Sequence, residues 1–192
     1  QALARVPPAS VRGVAVASMA EAGLLVDAAG QPLGPIISWN DSRSDTKFQA
    51  WLARFGADQF RALAGNPPSP IFSIFKLLWL RDELPQTYAA AARWLHVSDY
   101  IAFRLCGAQA TSPSLATRTM LIDLAQGRWS GEIIAAAGLR ADLMPPLLPS
   151  GARLGSVSLA AASETGLPAG IAVGCGGHDH SCGALAAGVV RG

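Results

Sequence analysis

Residues 171–188 read IAVGCGGHDHSCGALAAG, and the change of character along this stretch decides the class of fold. Ile171 to Gly174 is a short apolar run that reads as a strand, and Ser181 to Val190 reads as the last helix. Between them Cys175, His178, Asp179, His180, Ser181 and Cys182 form the densest polar cluster of the chain, on a Gly176-Gly177 pair. A strand that hands over to a helix is the unit of an α/β domain, and such junctions are where α/β sheets carry their sites.

Three readings of that cluster compete. Thiolates and imidazoles are the ligands zinc prefers, which makes Cys175, His178, His180 and Cys182 a metal candidate. However, an extended strand sends alternate side chains to opposite faces, so contiguous residues wrap one ion poorly, and no metal is expected. In the second reading the cysteines are small buried residues and the glycines permit a tight turn. In the third, Asp179 is a catalytic or binding carboxylate at the N-terminal end of the last helix. The helix dipole favours its ionised form there, and Gly176-Gly177 lets a ligand approach the backbone.

The remainder of the chain keeps the α/β alternation. Val11 to Ala17 reads as a buried strand, and Gly23 to Asp27 and Pro35 to Trp39 as a hairpin around a turn at residues 28–32. Phe48, Trp51, Leu52, Phe55, Phe60 and Leu63 recur at helical spacing with a break near Gly56, which predicts a pair of short helices. Further helices are expected over 73–81, over 99–105 with Ser98 as N-cap and Gly107 at C′, and between Ser130 and Gly138. Thr119 to Leu124 resembles a strand, and Pro145 to Gly155 reads as a linker packed across the surface. Two more polar islands fall at strand ends: Glu21 after the first strand, and Trp39-Asn40-Asp41-Ser42-Arg43 after the hairpin. Carboxylates at several strand ends suit a polyhydroxylated ligand held by acceptor-rich contacts.

Composition narrows the function. The chain has 192 residues, 51% hydrophobic and 15% charged, enough for one substantial core. Lys76 interrupts the most apolar run, Ile71 to Leu80, so no membrane partner is expected. A formal charge of +2 without a dense basic cluster argues against nucleic acid. An odd set of three cysteines, Cys106, Cys175 and Cys182, fits free thiols in a reducing compartment, hence the cytoplasm. Neither a Gly-x-x-x-x-Gly-Lys-Ser/Thr nor a Gly-x-Gly-x-x-Gly phosphate loop occurs, and there is no Gly-x-Ser-x-Gly elbow.

Eight blocks, VRGVAVASMAEAG at 11–23, PIISWNDSR at 35–43, FSIFKLLWL at 72–80, DYIAFRLCG at 99–107, TSPSLATRTMLIDLAQGRWS at 111–130, PSGARLG at 149–155, GLPAG at 166–170 and VGCGGHDHSCGALAAG at 173–188, resemble in order the N-terminal domain of the FGGY carbohydrate kinases. The resemblance implies an actin-like, ribonuclease-H-like α/β fold with a mixed sheet flanked by helices, and ATP-dependent phosphorylation of a ketose or polyol hydroxyl. It implies that Asp179, in the Gly-Gly-x-Asp stretch, is the general base and that His180 contacts the sugar. Glu21 occupies the second place of the family's substrate-binding pair. Asn40 and Asp41, in the stretch bordering the same pocket, are weaker substrate-binding candidates, with Arg43 holding the loop. Ile71-Phe72 stands where glycerol kinases carry Tyr-Phe, which points away from glycerol.

The family's Asp-x-Gly-Thr phosphate loop is missing, and so is its C-terminal domain. Residues 1–192 are therefore expected to be the sugar-side domain, incomplete at its N-terminal edge, with ATP and Mg²⁺ bound mainly by parts outside it and no turnover by the chain alone. Expected partners are a sugar or polyol and the missing C-terminal domain, with a homodimer left open. The competing reading is a stand-alone sugar-binding or regulatory module.

Overall fold

Val11 to Ala17 folds as two short strands, β1 (Gly13–Val14) and β2 (Ala17–Ser18), and not as one. The computed structural model that places them describes residues 7–189. Each strand pairs in parallel with a different segment near the other end of the chain, β1 with β8 (Ala172–Gly174) and β2 with β9 (Gly177–His178). The expected burial is not found: Gly13, Ala15 and Ala17 are exposed. The reason is position, since β1 is an edge strand of the three-stranded sheet β1-β8-β7. In that sheet β7 (Arg153–Ser156) runs antiparallel to β8. The stretch read as a linker thus supplies a strand, and Leu147 bridges to Thr111.

β3 (Gly23–Val26) meets the predicted hairpin partner only at the isolated bridge Gly23 to Ile37, while Val26 bridges to Pro32 inside the expected turn. Its continuous partner is β4 (Arg93–His96), antiparallel, with Leu24 opposite Leu95. That strand has no turn-linked neighbour in the sequence to announce it.

The helical part follows the apolar period. α1 (Asp45–Phe55) and α2 (Ala57–Ala64) are separated at Gly56, whose φ of 89° ends the first helix as the spacing predicts. α3 (Ser73–Glu83) buries seven of its eleven residues and runs through the centre of the core. Trp51, Phe60 and Phe75 meet edge to face, with ring centroids 5.6 Å and 6.3 Å apart, and Trp94 of β4 is buried in the same cluster. α4 (Pro85–Ala90) leads back into β4.

α5 (Val97–Cys106) begins directly where β4 ends, so His96 is its N-cap and Ser98, expected in that place, lies inside the first turn. Gly107 closes it with φ 77°, as predicted. α6 (Pro113–Ala116) is capped by the Ser112 hydroxyl. The strand expected over 119–124 shrinks to β5 (Ile122–Asp123), paired with β6 (Arg128–Trp129), because the chain before it turns through Thr117–Thr119 and Met120. α7 (Gly131–Ala136) has the predicted Ser130 cap, and α8 (Leu159–Thr165) packs on α5. α9 (Asp179–Ala186) starts two residues earlier than Ser181, which puts Asp179 inside its first turn; Val190, the predicted end, lies outside the described residues. Among the described residues no helix is long and apolar enough to cross a membrane.

Candidate active site

The parallel pairing of β2 with β9 builds the site. Ala17 lies opposite Gly177 and Ser18 opposite His178, so both strands release the chain at the same edge. Met19, Ala20 and Glu21 leave one strand beside Asp179 and His180 leaving the other. Gly176 makes this approach feasible, because a Cβ there would stand 2.1 Å from the Val16 carbonyl oxygen. Gly176 and Gly177 also line a cleft of about 310 Å³ on the other side of this junction, beside Ala15, Ser150 and Cys182.

A cleft of about 290 Å³ opens at this edge. Glu21, Arg118, His178, Asp179 and His180 supply its polar lining, and Met19, Trp39 and Ile71 its apolar wall. Glu21 is 6% exposed; its Oε1 accepts from Nε of Arg118 at 2.5 Å and forms an ion pair with Nη2 at the same distance. The Arg118 guanidinium lies over the Phe72 ring, 4.6 Å from its centroid. Behind them Lys76 is fully buried and donates from Nζ to the Ile71 carbonyl. Burial pushes its ammonium pKa down to about 8, against the opposing pull of Glu21, Asp41 and Asp45.

Asp179 stands at the N-terminus of α9, where the dipole favours a negative charge. Its Oδ1 accepts the His180 backbone N–H at 2.8 Å and lies 3.4 Å from His178 Nε2. The side chain keeps 44% of its surface exposed, which leaves lone pairs for an incoming hydroxyl. His178 is held by Ser114, whose Oγ accepts its backbone N–H at 3.1 Å. Burial lowers the His178 pKa against the opposing pull of Glu21 and Asp179, which favours the neutral imidazole.

Asn40 and Asp41 are placed differently from their neighbour Trp39, and neither lines the cleft. Asp41 is engaged by Arg43 through its backbone N–H at 3.0 Å and its guanidinium at 2.7 Å, which holds the carboxyl below the usual range. The four zinc-type residues are not gathered. Among the described residues the ligand atoms within 4.8 Å of one another belong to His178, Asp179 and His180. Cys175 is buried, its thiol donating to the Leu148 carbonyl, and burial pushes its pKa up to about 11.

The model of the FGGY family of carbohydrate kinases, N-terminal domain, matches residues 1–186. The chain belongs to that family. L-fuculokinase of Escherichia coli strain K12 is 34% identical over 169 residues, 88% of this chain and 36% of the relative. Xylulose kinase of Bacillus subtilis strain 168 is 30% identical over 188 residues, 98% of this chain and 38% of the relative. Among solved structures, xylulose kinase from Rhodospirillum rubrum superposes with TM-score 0.88 at 33% identity, covering 94% of this chain and 37% of that one. The chain therefore spans little more than a third of these FGGY relatives' length. Its fold is their actin-like, ribonuclease-H-like one, a mixed sheet with flanking helices.

Arg118 and the part His178 plays beside Asp179 were not singled out by the sequence reading. The signal for Arg118 was present: a lone charge between the apolar residues Leu115-Ala116 and Met120-Leu121-Ile122 needs a partner to be buried there.

Proposed function

We propose that this chain is the sugar-side domain of an ATP-dependent carbohydrate kinase acting on a hydroxyl of a ketose or polyol. The observation that carries the reading is the β2/β9 register, which faces a buried carboxylate, Glu21, and an accessible one, Asp179, into one cleft. Asp179 acts as general base, accepting the hydroxyl proton as the sugar oxygen bonds to the γ-phosphorus and ADP departs. Glu21 and His180 bind the substrate, with Trp39, Met19 and Ile71 as the apolar wall against its carbon skeleton. Asn40 and Asp41, outside the cleft lining, are given no contact with the substrate.

ATP, which supplies the phosphoryl group, and Mg²⁺ are held mainly by other parts of the whole protein. Mg²⁺ takes oxygen ligands in octahedral array, and of the three groups gathered at the cleft only Asp179 offers oxygen. The second domain is thus a required partner. The thiols of Cys106, Cys175 and Cys182 are free, which fits a cytoplasmic enzyme. The test is ADP release by the full-length protein with a panel of ketoses, deoxyketoses and polyols. Turnover with at least one of them, and none by residues 1–192 alone, is expected; no turnover with any would refute the kinase reading.

A further inference from the structure

The Arg118 guanidinium meets Glu21 on one oxygen, through a hydrogen bond and an ion-pair contact. Arg118 Nε and Nη2 reach Oε1, each at 2.5 Å. Oε2 takes no hydrogen bond from a described side chain and is not sealed from solvent, and Glu21 lines the cleft. We propose that Arg118 is a positioning residue that seals Oε1 of Glu21, aims Oε2 at one substrate hydroxyl, and reaches the sugar only through Glu21.

The surroundings of Arg118 fit a fixed support better than a ligand-gripping arm. It sits in the turn Thr117–Thr119, and Thr119 Oγ1 staples that turn by donating to the Ala116 carbonyl at 2.7 Å and accepting the Leu121 N–H at 3.0 Å. The next residue, Met120, is fully buried with φ 59°, a left-handed conformation that a non-glycine side chain adopts only when its surroundings enforce it. The guanidinium face is covered by Phe72, which adds a cation–π contact and removes lateral freedom. One edge of the guanidinium, Nε with Nη2, is spent on Glu21, a charge-assisted pairing of the strong kind.

Charge accounting points the same way. Two carboxylates open onto one small cleft, and the guanidinium neutralises Glu21, leaving Asp179 with the uncompensated charge. A Glu21 without Arg118 would be a buried, unpaired anion with both oxygens free to turn away from the substrate.

This inference rests on the kinase reading, and the measurement is steady-state kinetics of the full-length enzyme carrying Glu21→Gln, Arg118→Gln, Arg118→Lys and the Glu21→Gln/Arg118→Gln pair. Arg118→Gln should raise the sugar KM about tenfold or more, with kcat and the ATP KM changed by less than about threefold. Arg118→Lys, a point charge that cannot make the two-pronged contact, should recover part of that loss. In the Glu21→Gln background the second substitution should add less than about threefold, since there is no carboxylate left to aim. The pair variant removes both charges together, so it keeps the comparison intact if Arg118→Gln alone folds poorly. Multiplicative effects on the sugar KM would place Arg118 on the substrate itself and overturn the proposal, as would an unchanged sugar KM in Arg118→Gln. A wild-type enzyme inactive on every sugar overturns the kinase reading and this inference with it.

Discussion

The core around Phe75 and the cleft around Asp179 are assembled in opposite ways. Phe60, Phe75 and Trp51 are almost wholly buried, come from neighbouring helices, and interlock ring against ring. The cleft draws Glu21, Arg118 and Asp179 from distant parts of the chain, and α9 buries none of its described residues. One region derives its order from many weak apolar contacts, the other from one backbone register and a few charged contacts. Damage to the first should therefore appear as lost stability, and damage to the second as lost activity.

Phe75→Ala is expected to have the largest effect on stability. It empties a fully buried ring site, at a cost of about 3–5 kcal/mol, while kcat of the molecules that remain folded should change little. Chemical denaturation of wild type and variant, with activity normalised to folded protein, measures both. Gly176→Ala comes next. The added Cβ meets the Val16 carbonyl, the strands must part, and overpacking of this kind costs roughly 1–3 kcal/mol. Its activity should fall more than that of Phe75→Ala, because Asp179 follows the displaced strand; equal activity per folded molecule in the two variants would contradict the contrast.

The smallest effect concerns Lys76, a charge lodged between the two regions. Its pKa in the folded protein is about 8, below its ordinary 10.5. Between those values the unfolded chain holds a proton that the folded chain has released, so stability from this group rises with pH across that window and is lower below it. Compared with Lys76→Met, wild type should gain on the order of 1 kcal/mol between pH 8 and 9.5. Parallel pH curves for the two proteins would show that Lys76 keeps an ordinary proton affinity.

The same contrast explains what was legible in the sequence. The helices at 45–64 and 73–83 announce themselves through local apolar spacing, and Gly56, Gly107 and Ser130 mark their ends by their own chemistry. β4 was missed, and Val11 to Ala17 was misjudged as buried, because a strand's partner and position in a sheet are set by residues far away. Asp179 and Glu21 could be nominated by type and place, and the fold brings them together. Arg118 could not be matched to Glu21, since a pairing across 97 positions leaves no trace in local pattern. Asn40 and Asp41 looked equivalent to their neighbours, yet only the fold could reveal that Arg43 occupies the Asp41 carboxylate while Trp39 turns to the cleft.

Whether Asp179 takes the proton from the attacking hydroxyl is read most directly from kcat of the full-length Asp179→Asn enzyme. Asn keeps the size and the helix-terminal hydrogen bonding but loses the basic oxygen. A positioned base contributes typically ~10²–10⁴-fold, so kcat should fall by about that factor while the sugar KM and the Tm of the same preparation stay near wild type. Retention of most of the wild-type kcat would reduce Asp179 to a helix-end residue and contradict the account.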